Sequence, residues 1–323
     1  MILGAATACF TYMSLEDTLA YLKPFGIETF EPSAGGILSR THCDPAALLA
    51  SPAALDDYRA LIARSGIRLS NLKAHGNIVH PIAEVARAHR QDFTDAVLLS
   101  EKLGLTYVNT FSGCPGDPGG GSFPNWVAQP FPEEFARLYA WQWDAVLIPA
   151  WQEMARFAAD HGITRIGMEM YPGYSVYNTE SLLKLRDAVG DIIGCCFDPS
   201  HIMPQGMDPV TVIHRLGPVI CHVHAKDSVE HPRNIAVNGR SDPKMFTHAA
   251  DRAWMYRTLG YGHDLKFWKD IMSALVTIGY DGVVSNEHDD CMMPTQEGFE
   301  KSMTFLKEVL VRGRSTGSWW NHH

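Results

Sequence analysis

Short apolar runs bounded by turn residues recur along the chain, and stretches with helical spacing of apolar positions follow them. The runs at 2–6, 26–31, 67–74, 107–111, 165–170, 192–196 and 282–287 read as buried strands, and an eighth starts at Pro218-Val219-Ile220 and heads for Lys226. Helical spacing predicts elements over 15–22, 46–65 (with Pro52 opening a second piece), 92–103, 148–161, 181–189, 208–216, 265–278 and 295–311. The 92–103 segment is the clearest, with Phe93, Ala96, Val97, Leu99 and Leu103 on one side and Gly104 as its stop. Thr179 is the expected N-cap of the 181–189 helix, and Val210, Ile213 and Leu216 share one side of 208–216.

Eight strands alternating with helices specify parallel pairing, and a closed barrel suits eight such units better than an open sheet. The expected fold is therefore α/β, a (β/α)8 TIM barrel forming a single domain over 1–323, with long βα loops. Two excursions, 113–146 and 227–263, interrupt the rhythm and are placed at the barrel mouth or an interface. The first begins with a Gly- and Pro-rich stretch, 113–132, too long for an ordinary connection. His322-His323 are set aside as a native end or a tag remnant.

Composition narrows the function classes. A net charge of −9 argues against broad contact with phosphate backbones, so no nucleic-acid partner is expected. No apolar run approaches a membrane span, and the apolar N-terminus lacks the charged start and length of a signal peptide. Seven cysteines are scattered without a C-x-x-C pair, which indicates neither a zinc ribbon nor a disulfide framework, and a cytoplasmic location is expected.

Chemistry concentrates at strand ends. Glu169, Asp198, His224 and Glu287 terminate the last four strands, and in a barrel such ends converge on one mouth. Each alone has an ordinary explanation as a solvated acid or a hydrogen-bonded histidine. Four in register match a divalent cation, with Mn²⁺, Mg²⁺, Co²⁺ and Zn²⁺ all compatible. His75 closes the third strand as a substrate ligand or proton shuttle, or as a core histidine. Lys226 either polarises a substrate oxygen or pairs with Asp227, pairing being favoured, and His222 lies one layer below His224. Glu31 either binds sugar hydroxyls or is a surface acid. Trp126 heads an aromatic set with Tyr139, Trp141, Trp143 and Trp151 that either stacks on a sugar or aglycone or, the favoured reading, belongs to core and interface.

The motifs Gly167-Met168-Glu169, Phe197-Asp198-Pro199-Ser200-His201, His222-Val223-His224-Ala225-Lys226-Asp227 and Gly279-Tyr280-Asp281-Gly282 followed by Glu287-His288 resemble the sugar phosphate isomerase/epimerase family, the xylose isomerase-like barrels. The resemblance runs from about residue 26 to 310. It implies that Glu169, Asp198, His224 and Glu287 hold one divalent metal, often manganese, with His201 touching the substrate and Glu169 and Glu287 flanking it as acid/base groups. It also implies an arginine a few residues after the metal histidine. Glu230 stands at the nearest such spacing and Arg233 three residues later, which makes Arg233 the candidate substrate contact.

A metal chelated by a carbonyl and its neighbouring hydroxyl acidifies the C–H between them and stabilises the resulting enediolate. The leading expectation is accordingly a metal-dependent isomerase or epimerase acting on a keto sugar or keto-glycoside. A lyase-type deglycosidase that cleaves 3-keto-glycosides, C-glycosides included, uses the same step and often works with a small partner subunit. An abasic-site endonuclease-like barrel has spare histidines in His42, His75 and His80 but lacks basic balance, and a non-catalytic sugar-binding barrel is a fourth reading. A homo-oligomer is expected. No P-loop-type phosphate cradle is present, so a phosphorylated substrate finds no support.

Overall fold

The computed structural model describes residues 1–313 and Trp320; His322 and His323 lie outside the described residues. The strands of the barrel wall are β1 (Ile2–Ala6), β2 (Thr29–Glu31), β3 (Ser33–Gly36), β4 (Arg68–Leu69), β5 (Leu72–His75), β6 (Tyr107–Thr110), β7 (Arg165–Glu169), β8 (Ile193–Phe197) and β9 (Ile220–Ala225). A hairpin of β10 (Asp227–Glu230) and β11 (Trp254–Arg257) follows, and β12 (Val283–Asn286) completes the wall. The main sheet runs β3-β5-β6-β7-β8-β9-β12-β1-β2-β4, and its strand pairs are parallel.

The two ends of that order are halves of the same staves. β2 and β3 are one stave interrupted at Pro32, which has no N–H to donate. β4 and β5 are the next, interrupted at Ser70 and Asn71. Backbone bonds from Ser70 N to Phe30 O and from Lys73 N to Pro32 O bridge the break. Eight parallel staves therefore close on themselves into a single (β/α)8 TIM-barrel domain. At the rim where β3 meets β5, Gly36 has φ +79°, and a Cβ there would lie 1.9 Å from the carbonyl oxygen of His75. Only glycine lets the two backbones approach so closely beside His75.

The central strand–helix–strand unit shows why the chain folds this way. β8 is buried along its whole length. Asp208 then caps the helix Pro209–Leu216 by accepting from Thr211 N at 2.7 Å, with Pro209 in the first turn, where no N–H is needed. Val212, Ile213 and Leu216 are buried under the sheet, while Val210 stays at the margin.

Local readings needed correction at four places. The helix expected at 92–103 begins at Ala83. The helix expected at 148–161 is the last part of a run from Glu133–Trp141 through a π-helical turn at Gln142–Leu147 into Ile148–Asp160. Pro149 has no N–H to donate, and the wide turn before it accommodates the missing i→i−4 bond. Asn178, rather than Thr179, caps Thr179–Val189, with a reciprocal box to Ser181. The 227–263 excursion is an ordered hairpin with the helix Pro232–Asn238, and its β10 and β11 pair antiparallel.

Asp227 anchors that hairpin. Its Oδ2 accepts from the backbone N–H groups of Gly260, Gly262 and His263 at 3.0–3.1 Å, and its Oδ1 lies 2.8 Å from Nδ1 of His263. The pairing of Lys226 with Asp227 expected from sequence does not form, because Asp227 is consumed by this loop and Lys226 turns into the barrel. Asp227→Ala strands several buried N–H groups and is expected to lower stability by about 3 kcal/mol in urea unfolding. A loss below about 1 kcal/mol would show that those groups find water instead.

Candidate active site

Side chains alternate along each stave, so one residue in two points into the barrel. This delivers Glu31 from β2, Lys73 and His75 from β5, Glu169 from β7, His222 and His224 from β9, and Glu287 from the residue after β12. Asp198 follows β8 and caps the short helix Pro199–Ile202, accepting from Ser200 N at 2.8 Å. That turn also places His201 over the mouth.

The four strand-end groups come together: Glu169, Asp198, His224 and Glu287 each offer a ligand atom within 4.8 Å of the others. Nδ1 of His224 lies 3.2 Å from Glu287, 3.4 Å from Glu169 and 3.9 Å from Asp198. His201 reaches Glu169 Oε1 through Nε2 at 2.8 Å, and its Nδ1 lies 2.9 Å from the Tyr256 hydroxyl. His75 stacks on Phe111 at 4.1 Å and brings Nε2 to 3.2 Å from Glu169. Lys226 Nζ sits 3.0 Å from both Asp198 and Glu287 and 3.3 Å from His201 Nε2.

Three further placements differ from the sequence reading. Glu31 is completely buried, and both its oxygens are engaged: Oε1 by the amides of Asn71 and Asn109, Oε2 by Nε2 of His224 and His222. It lies below His224, out of reach of a sugar hydroxyl, so neither a substrate contact nor a surface acid describes it. Arg233 is exposed on the helix Pro232–Asn238, in a cleft with His231, Ala249 and Met292. The structure does not bring it to the carboxylates, because the hairpin carries the chain outward after Lys226. Trp126 meets Tyr177 edge-on at 5.3 Å, beside Val127–Pro130, which line an outer cleft of about 1070 Å³ with Tyr139 and Lys184. Trp143 and Trp151 are core residues.

Sequence reasoning missed Lys73. It is fully buried on β5, and its Nζ is 2.6 Å from Glu287 Oε1. Its signal was available: a lysine inside a buried run, two residues before His75 and hence on the same face. The aromatic rim of Phe111, Tyr171, Tyr174 and Tyr256 was also missed. Tyr256 comes from the unforeseen hairpin, and its hydroxyl lies 3.3 Å from that of Tyr171.

The charges explain one another. Burial pushes the carboxyls of Glu31, Glu169 and Glu287 up, but the surrounding cations overcome it and hold all three well below the usual range. For Glu287 the main cations are Lys226 and Lys73. Burial pulls the His224 imidazolium down, yet the acids Glu287, Glu31 and Glu169 raise it well above its ordinary value. Burial raises the Cys196 thiol, 3.7 Å from His224, so it stays protonated and is a poor ligand.

A divalent cation fits this donor set. Oδ2 of Asp198 and Nε2 of His75 are buried and accept or donate no aligned hydrogen bond. Three carboxylates and one imidazole nitrogen suit a borderline-hard ion, and such an ion would take over the proton's role between them.

The family described as xylose isomerase-like TIM barrel matches residues 19–309, and the chain belongs to it. The uncharacterized protein YfiH of Bacillus subtilis (strain 168) is 33% identical over 313 residues, covering 96% of this chain and 99% of that protein. Among solved structures, the probable 3-DHS dehydratase AsbF of Bacillus anthracis superposes with a TM-score of 0.66 at 15% identity, covering 95% of this chain and 99% of that one. The 3-keto-D-glucoside 4-epimerase YcjR of E. coli does so with 0.63 at 13% identity, over 95% and 99%. At these identities the likeness shows the fold; the neighbours themselves are named as enzymes.

The charge pattern carries a pH prediction for chelator-treated protein. The depressed acids Glu31, Glu169 and Glu287 contribute stability that is present above the unfolded carboxyl value of about 4.3 and is lost as pH falls. His224, raised, contributes in the opposite sense, fully below about pH 6.5 and less as pH rises. The urea midpoint should therefore hold between pH 6 and pH 5 and fall as the pH drops below about 4, and an unchanged or higher midpoint at pH 3 would contradict the assignment.

Proposed function

We propose that this member of the xylose isomerase-like barrels is a divalent-metal-dependent isomerase or epimerase that removes a proton next to a carbonyl of a keto sugar or keto-glycoside. The observation that carries the reading is the convergence of Glu169, Glu287 and Asp198 on Nδ1 of His224, with ligand atoms of all four within 4.8 Å of one another. These four residues would hold one ion, Mn²⁺ foremost, with Mg²⁺, Co²⁺ or Zn²⁺ compatible. When bound, the ion would act as a Lewis acid on the carbonyl and its neighbouring hydroxyl, which acidifies the C–H between them.

The chain's own residues supply the rest. Glu169 takes the proton on its carboxylate, which His201 steadies at 2.8 Å, with Nε2 of His75 3.2 Å from its other oxygen. Glu287 would be the second acid/base group, held in place by Lys73 and Lys226. Lys226 points its ammonium at the same space and favours negative charge developing on a substrate oxygen. Tyr171, Tyr174, Phe111 and Tyr256 ring the mouth and offer faces on which the apolar side of a sugar stacks.

Proton removal next to a carbonyl also permits loss of a group β to it. The likeness to a probable dehydratase and to an enzyme of 3-keto-D-glucoside supports a second reading, a lyase-type deglycosidase of 3-keto-glycosides. The exposed Phe123 and Phe131 of the first excursion support burial against another chain, a second copy or a small partner subunit. Free cysteines, seven among the described residues, accord with a reducing cytoplasm. No helix among the described residues is long and apolar enough to cross a membrane.

The test is solvent-deuterium incorporation into keto sugars and 3-keto-glucosides with chelator-treated and Mn²⁺-loaded protein. Exchange should require the ion, at one per chain, and both Glu169→Gln and Glu287→Gln should lower it by about 10²–10⁴-fold. Full exchange in either variant removes that carboxylate from proton transfer. Release of aglycone without exchange into recovered substrate selects the lyase reading.

A further inference from the structure

Glu31 is a completely enclosed charge in the barrel, and proton transfer as described makes no use of it. Oε1 receives Nδ2 of Asn71 at 2.6 Å and Nδ2 of Asn109 at 2.7 Å. Both are amide donors, so that oxygen has no capacity left for another ligand. Oε2 faces β9, where Nε2 of His224 lies at 2.9 Å and Nε2 of His222 at 3.2 Å. His222 is braced in turn by the Tyr107 hydroxyl, 3.3 Å from its Nδ1. The two staves that meet here are not neighbours: β12 and β1 stand between β9 and β2 in the sheet. Glu31 therefore reaches across the barrel interior to the underside of the His224 ring.

An imidazole has two nitrogens, and a hydrogen bond to one decides which lone pair the other presents. An ionised carboxylate can only accept, so Nε2 of His224 must carry a proton, which leaves Nδ1 as the ring's free lone pair when the ring is neutral. Nδ1 is the nitrogen that faces Glu287, Glu169 and Asp198. We propose that Glu31 is a positioning residue that fixes the Nε2–H tautomer and the orientation of His224, so that Nδ1 ligates the cation. This rests on the metal reading given above.

The same atoms offer an alternative, since Glu31, His222 and His224 also cluster closely enough to hold an ion. In that arrangement both rings would ligate through Nε2, Nδ1 of His224 would carry the proton, and a second ion would sit in the closed interior with no approach for substrate. The saturation of Oε1 by two amides, which leaves Glu31 a single oxygen for both rings, favours the positioning role.

Two measurements decide. In ¹⁵N-histidine spectra of the intact chain loaded with Zn²⁺ or Mg²⁺, with His224 assigned by comparison with His224→Asn, the ring should be protonated at Nε2 and ligated through Nδ1. Calorimetric titration of Mn²⁺ into chelator-treated protein should give one ion per chain, bound about 10- to 100-fold more weakly by Glu31→Gln. A His224 ring ligated through Nε2, or two ions per chain, overturns the proposal, and so does equal affinity in Glu31→Gln. A wild-type chain that takes up no ion removes the metal reading itself, and this one with it. The spectra use the unaltered chain, so the test stands even if Glu31→Gln fails to fold.

Discussion

Four carboxylates buried within one barrel mouth and its floor set the terms for the rest of the molecule. Glu31, Glu169 and Asp198 are almost wholly enclosed and Glu287 nearly so. Two like charges at 4 Å repel by about 4 kcal/mol at an effective dielectric of 20, and each also loses its hydration. Such a group persists only when cations and donors are built around it. Lys73 and Lys226 meet Glu287 from two sides, Lys226 also meets Asp198, and the imidazoles of His75, His201, His222 and His224 fill the spaces between acids. Two lysines against four acids leave two negative charges, which a divalent cation would balance with the histidines neutral.

The barrel is what makes this crowding possible. Eight staves place residues from β2, β5, β7, β9 and the ends of β8 and β12 around one axis, although Glu31 and Glu287 lie far apart in sequence. The stave breaks at Pro32 and at Ser70–Asn71 do not weaken closure, because backbone bonds span them. They also turn the Asn71 amide inward to Glu31. The hairpin after Lys226 adds Tyr256 above His201, and Asp227 pins the hairpin to the barrel. A residue whose own side chain faces away from the substrate thus fixes the roof of the site.

The fold was legible because strand and helix periodicities alternate so regularly, and because buried strands announce themselves by Val-, Ile- and Cys-rich runs. The carboxylates and His224 were legible because strand ends are readable as positions. The excursions were not. The 227–263 stretch has polar, Gly- and Pro-containing links around a four-residue strand, too short for its alternation to stand out, so Tyr256 went unseen and Arg233 was placed at the mouth. Lys73 was overlooked because lysine is ordinarily a surface residue. Glu31 was read with the right strand and the wrong depth. Nothing in a single sequence tells a rim acid from one tucked beneath a histidine three staves of the sheet away.

The central claim is that one cation links these groups, and crystals grown with Mn²⁺ test it most directly through anomalous scattering at the manganese edge. A single peak bounded by Glu169, Asp198, His224 and Glu287 is the predicted result. No peak there, or a peak only at another position in the barrel, would contradict the account.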